Sequence, residues 1–149
     1  MSNFFSTIYE TWFQLYNPNF RLIFDTLYDY NGYVMFGLLF TIIPLFTWLT
    51  FYYLWKYPYG KFWHWLSWLM ITLVIVGGST FSLANNAIFA SDNPSLNGEL
   101  SVQTSGYEQF AMTLPLTYAL INILLTIILS IFYSLIFKQF SKIQIHLPF

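Results

Sequence analysis

The sequence predicts an all-α integral membrane protein, with three transmembrane helices and an N-terminal amphipathic interfacial helical segment, and three observations carry that prediction. Eleven charged residues fall into four clusters, and the stretches between them, 30–55, 62–91 and 109–137, hold no charge. Each stretch exceeds the ~20 apolar residues that cross ~30 Å of hydrocarbon, whereas helices of soluble domains run roughly 8 to 20 residues. The chain is also 57% hydrophobic and only 7% charged, against roughly 25% charged in a soluble domain, too few charges to cover a water-facing surface.

Charge also predicts sidedness. If the three stretches are spans, alternation places Glu10, Asp25, Asp29, Asp92, Glu99 and Glu108 on one side and Lys56, Lys61, Lys138 and Lys142 on the other. Lysines in short loops mark the cytoplasmic side, or the matrix side of an organelle. The expected location is therefore a bacterial inner membrane, or an organellar one, with the N-terminus outside and the C-terminus inside. Arg21 alone breaks the sorting, and it stands i,i+4 to Asp25.

Residues 1–30 read as an amphipathic, aromatic-rich segment on the outer side. Phe5, Ile8, Trp12 and Tyr16 recur at helical spacing, Asn17-Pro18-Asn19 interrupts them, and a second helix capped by Asn19 presents Phe20, Ile23, Phe24 and Leu27 on one face. Asn31-Gly32 signals a turn. The first span is placed at 31–56, with Pro44 near its middle. That proline removes a backbone donor, a defect that Thr41, Thr47 or a neighbouring helix could repair. Residues 57–61 read as a tight inner turn, so spans one and two form a hairpin. Trp55, Trp63, Trp65 and Trp68 gather around this turn, and with Trp12 they are the expected interfacial anchors. His64 sits among them without a second histidine on any span.

The second span, 62–90, begins apolar and then turns small and polar. Gly78 and Ser82 form a small-xxx-small pair, and Asn86 continues the same face. Residues 91–112 read as an outer polar loop, with an alternating run at Glu99 to Thr104 that suggests a small hairpin or an extended lid. The third span, 113–137, is expected to start at Thr113 and Pro115, and 138–149 form an inner tail. Along it Ala119, Asn122, Thr126, Ser130 and Ser134 make one small, polar stripe. Such a stripe should face protein or water and not lipid, so these residues are candidates for helix packing or for lining a pore.

Several function classes find no support in these residues. With no cysteine, thiolate chemistry and cysteine metal sites are excluded. A net charge of -1 offers no basic stripe for nucleic acid. No P-loop, dinucleotide fingerprint, HExxH or nucleophile elbow occurs, and no Asp, Glu, Lys or Arg lies within a span, where proton relays and voltage sensors carry them. No cofactor, metal or catalytic residue is expected. The expectation is a non-enzymatic membrane subunit that anchors or scaffolds a larger envelope complex, of secretion, injection or respiratory type. Its partners would be the lipid bilayer and other membrane subunits or copies of itself. The alternatives are a small homo-oligomeric channel with a neutral polar pore and, more weakly, a lipid- or quinone-binding protein.

Overall fold

Among residues 4–55, 62–102 and 104–141, which the computed structural model describes, six α-helices follow one another and no strand occurs. α1 (Phe4–Thr7) widens into a π-helical turn over Ile8–Trp12, and α2 (Arg21–Asp29) follows a 3-10 turn over Pro18–Phe20. α3 (Gly32–Leu49) runs on as a π-helical turn over Thr50–Leu54, and α4 (Phe62–Phe89), α5 (Pro94–Ser101) and α6 (Tyr107–Phe140) follow. Three helices are long and apolar enough to cross a membrane: Gly32–Leu54 with 23 residues, Phe62–Phe89 with 28 and Tyr107–Phe140 with 34. At 1.5 Å per residue even the shortest spans about 35 Å. The tight turn expected at 57–61 and most of the tail expected at 138–149 lie outside the described residues.

α3, α4 and α6 all pack on one another. α3 and α6 run parallel and α4 opposes them, so the start of α3, the end of α4 and the start of α6 meet at one end. α2 and α5 cover that end, α2 packing on α3, α4 and α5, and α5 on α6. It carries the acids, as the charge sorting predicts, while Lys138 stands near the far end of α6. The apolar core divides accordingly into a larger cluster around Tyr9, Phe24, Tyr33, Phe36 and Tyr118 and a smaller one of Trp48, Phe51, Tyr52, Trp65 and Leu69 at the other end.

Local sequence chemistry sets most boundaries. Asn31 takes the left-handed conformation, φ 53°, which asparagine tolerates, and so turns α2 into α3. Asn19 does not cap α2, which follows Phe20 without a side-chain cap; Asn17 caps the preceding 3-10 turn instead, its side chain accepting the Asn19 N–H at 3.1 Å with Pro18 in the first position. Ile23, Phe24 and Leu27 are fully buried as their spacing predicts, and Arg21 pairs with Asp25 at 3.0 Å.

Elsewhere the structure corrects the sequence reading. The loop expected at 91–112 contains a helix, because the Asn93 side chain accepts the N–H groups of Ser95 and Leu96 and Pro94 opens the first turn. A cap followed by proline is a stronger signal than a short alternation, and α5 buries Leu96 completely. α6 starts at Tyr107, after Gly106 at φ 73°, six residues before Thr113. Its added turns hold Phe110, stacked on Phe20 at 4.3 Å between ring centres.

The N-terminal segment differs most. It does not lie across the end of the bundle but descends along α3, against which α1 packs. The Phe5 ring fills the notch left by Gly37 and meets Phe40 edge-on at 6.0 Å. Ile8 and Tyr9 are buried, while Trp12 and Tyr16 are exposed. The π turn explains the shift: it closes through i+5 hydrogen bonds, Phe13 N–H to Ile8 C=O at 3.1 Å, and so rotates the face that an α-helical reading assigns. At the Pro44 break, Thr41 and Thr47 donate to Gly37 C=O and Ile43 C=O, not to the Phe40 carbonyl that the proline frees. The neighbouring helix does not bond that carbonyl either: the Tyr133 hydroxyl donates one residue further on, to Thr41 C=O at 3.4 Å.

Candidate functional site

The polar stripe of α6 is spent inside the chain. Asn122, Thr126, Ser130 and Ser134 are each fully buried, and Ala119 is 5% exposed. Near the acid-bearing end, Asn122 joins four segments at one amide. Its Nδ2 donates to Phe36 C=O on α3 at 3.1 Å and to Thr80 Oγ1 on α4 at 2.8 Å, and its Oδ1 accepts from the Tyr9 hydroxyl. The Tyr9 ring is held by Tyr33, Phe36 and Tyr118, with ring centres 5.4 to 6.1 Å away. Every hydrogen of that amide is used, which is what a dry interior requires.

Ser134 forms the matching clamp at the other end. Its Oγ meets the Tyr52 hydroxyl at 2.6 Å and accepts Trp65 Nε1–H at 2.9 Å, tying α6 to the continuation of α3 and to the start of α4. Trp65 in turn stacks on Trp48 at 5.3 Å. Between the clamps, the Thr126 and Ser130 hydroxyls are buried without a partner. Their contribution is small size, which lets the helices approach, and not hydrogen bonding.

Gly78, Ser82 and Asn86 point the other way: all three are exposed. A Cβ added at Gly78 meets nothing within 4 Å, whereas one added at Gly77 lies 2.7 Å from Ile123 Cδ1 of α6. Gly77, which the small-xxx-small reading passes over, is the glycine of the internal interface. The expected anchors also divide. Trp12 and Trp63 are 69% and 70% exposed, Trp55 and Trp68 are half-buried, and Trp65 belongs to the core.

Tyr9, Thr80, Tyr52 and Trp48 escape the sequence reading. Each is the partner of a stripe residue or of its neighbour, and spacing on one helix does not name partners on another. Beside Tyr9, Glu10 reaches the cover of the bundle. One carboxylate oxygen accepts from the Tyr28 hydroxyl at 3.3 Å, and the other is buried without a partner. Burial holds the ionisation of Tyr28 above its ordinary value, against a hydrogen bond with Ser6 that lowers it and with a smaller upward push from the nearby Glu10 charge.

The fold and its clamps define the class as an all-helical bundle with three helices of membrane-crossing length. Nothing narrower is shown: no family model, curated protein or solved structure matches the chain.

Proposed function

We propose that the chain is a non-enzymatic, polytopic membrane subunit that anchors or scaffolds a larger envelope complex, with its acid-bearing end outside and its lysine-marked end in the cytoplasm or matrix. The observation that carries this reading is the outward face of α4. Gly78, Ser82 and Asn86 lie exposed along it one turn apart, with no packing role inside the chain. Small residues at this spacing let a second helix approach closely, and serine and asparagine hydrogen-bond across such contacts. A bacterial inner membrane, or an organellar one, fits the lysine placement.

The channel reading loses support. It assigned Asn122, Thr126, Ser130 and Ser134 to a pore lining, yet these side chains are buried among helices of the same chain. Lipid or quinone binding stays a secondary reading, favoured by a cavity of about 230 Å³ walled by Phe62, Trp65, Ile131 and Ser134.

The test pairs solubilisation in mild detergent with Gly78→Leu. The native chain is expected to resist carbonate extraction and to migrate on native gels in an assembly larger than itself. Gly78→Leu should release it from that assembly without lowering its thermal unfolding temperature. A native chain that runs as a lone monomer, or an assembly indifferent to Gly78→Leu, defeats the scaffold reading. Flux from the purified chain in liposomes would favour the channel.

A further inference from the structure

A groove of about 530 Å³ opens between the start of α3 and the end of α4, walled by Met35, Leu83, Asn86 and Ala87, with Tyr30, Ala90 and Ser91 towards its upper edge. The volume lies within the roughly 300–1,000 Å³ typical of small-ligand sites. Its position is defined by helix register. Met35 and Asn86 each stand three residues from a helix end, about 4.5 Å below it. On either side the helices present apolar side chains outward, Leu38 and Ile42 on α3 and Phe81 on α4. In a chain that spans a membrane, such a groove opens sideways into the outer leaflet, where acyl chains meet their ester groups.

Charge around the rim selects the occupant. The Tyr30 hydroxyl accepts the Asp92 N–H at 3.1 Å, which draws the α2–α3 corner and the α4–α5 corner together, and the exposed Asp29 and Asp92 are the chain neighbours of Tyr30 and Ser91, which line the groove. Among the described residues, no basic side chain lines the groove. Arg21, the one described base on this side of the bundle, already pairs with Asp25. An anionic headgroup finds no counter-charge here, whereas an ammonium finds two carboxylates. The Asn86 amide, exposed and below that edge, is set to donate to an ester carbonyl. We propose that the groove holds one acyl chain of an amine-headed, zwitterionic phospholipid of the phosphatidylethanolamine kind. The inference rests on the membrane reading, and of the proposed scaffold face it uses Asn86 alone, leaving Gly78 and Ser82 to a partner helix.

The experiment offers the purified full-length chain, in mild detergent, equal amounts of phosphatidylethanolamine and phosphatidylglycerol of one acyl composition, and counts retained lipid by native mass spectrometry. One bound phosphatidylethanolamine is expected, favoured about five-fold, since two exposed ion pairs each contribute modestly. Ala90→Trp should abolish retention while leaving thermal unfolding unchanged. Asp29→Asn with Asp92→Asn should keep a lipid bound but erase the preference. Equal retention of the two lipids by the native chain, retention undiminished by Ala90→Trp, or a lipid-free dimer overturns the proposal. A chain that leaves membranes under carbonate extraction overturns the membrane reading itself, a result distinct from each of these.

Discussion

The descent of the N-terminal segment makes Tyr9→Phe a decisive substitution. It removes one oxygen and keeps the ring among Tyr33, Phe36 and Tyr118. In the native chain the Tyr9 hydroxyl supplies the partner of Asn122 Oδ1, and both residues are fully buried. Leaving a buried acceptor unpaired costs about 1–3 kcal/mol, and measured interhelical polar contacts in membranes run from about 0.6 to 1.7 kcal/mol. The expected loss is therefore about 1–2 kcal/mol. Asn122→Leu removes three hydrogen bonds at once and should cost more, about 2–4 kcal/mol. The double variant should lose less than the sum by at least ~1 kcal/mol, because the second change no longer strands a partner. Unfolding titrations in mixed micelles, read by tryptophan fluorescence, measure all three differences. If the segment lay at the surface, Tyr9→Phe would stay within about 0.5 kcal/mol of the native chain. That result, or strictly additive losses, refutes the packing described for Tyr9.

The two adjacent glycines should separate in the same assay. Gly78→Ala raises helix stability by up to ~1 kcal/mol, while Gly77→Leu, driven into Ile123, costs about 1–3 kcal/mol; equal effects would contradict the assigned faces. Ser134→Ala removes the hydroxyl that Trp65 Nε1–H and the Tyr52 hydroxyl share, so a loss of about 1–2 kcal/mol is expected, together with a shift in tryptophan emission. Asn93→Ala removes the cap of α5 and the bond to Thr26 at 2.9 Å, for about 1 kcal/mol; hydrogen exchange should quicken at Ser95 and Leu96 and nowhere in α6. The raised ionisation of Tyr28 means that the folded chain holds this proton longer than the unfolded one. Its contribution to stability is intact below the unfolded value of about 10 and is lost as pH climbs through the folded one. Tyr28→Phe should flatten that alkaline loss in a pH series of unfolding curves, and an unchanged slope would disprove the assignment.

Charge clustering made the three long helices legible because it depends only on composition along the chain. The starts and stops that follow from a single residue were legible too, as at Asn31, where one left-handed conformation turns the chain. Boundaries set by competing local signals were harder. The pairing of Asn93 with Pro94 overrode the Glu99 to Thr104 alternation, and Gly106 began α6 two turns early because Phe110 had Phe20 to stack on. The path of residues 4–12 was legible only in part: Phe5 and Ile8 face inward as their spacing predicts, and Trp12 does not. A π turn shifts the helical period, so the residue that faces inward is Tyr9 and not Trp12. Its partners, Asn122 and Tyr118, lie more than a hundred residues away.

Helix geometry explains why two similar stripes acquired opposite fates. Asn122, Thr126, Ser130 and Ser134 recur every four residues on α6, and Gly78, Ser82 and Asn86 do so on α4, so spacing ranks them equally. α4, however, turns one face to its neighbours, the face of Leu69, Thr72, Val76, Thr80, Ala84 and Ile88. Position 78 stands two residues from both 76 and 80, about 200° around the helix, and is therefore nearly opposite the buried line. The clamps on Asn122 and Ser134 hold α4 in this rotation, since turning Thr80 and Trp65 away from α6 would break both bonds. Burial of the first stripe thereby enforces exposure of the second. The small, polar face of α4 is thus a fixed feature of the folded chain, presented in one orientation to whatever helix packs against it.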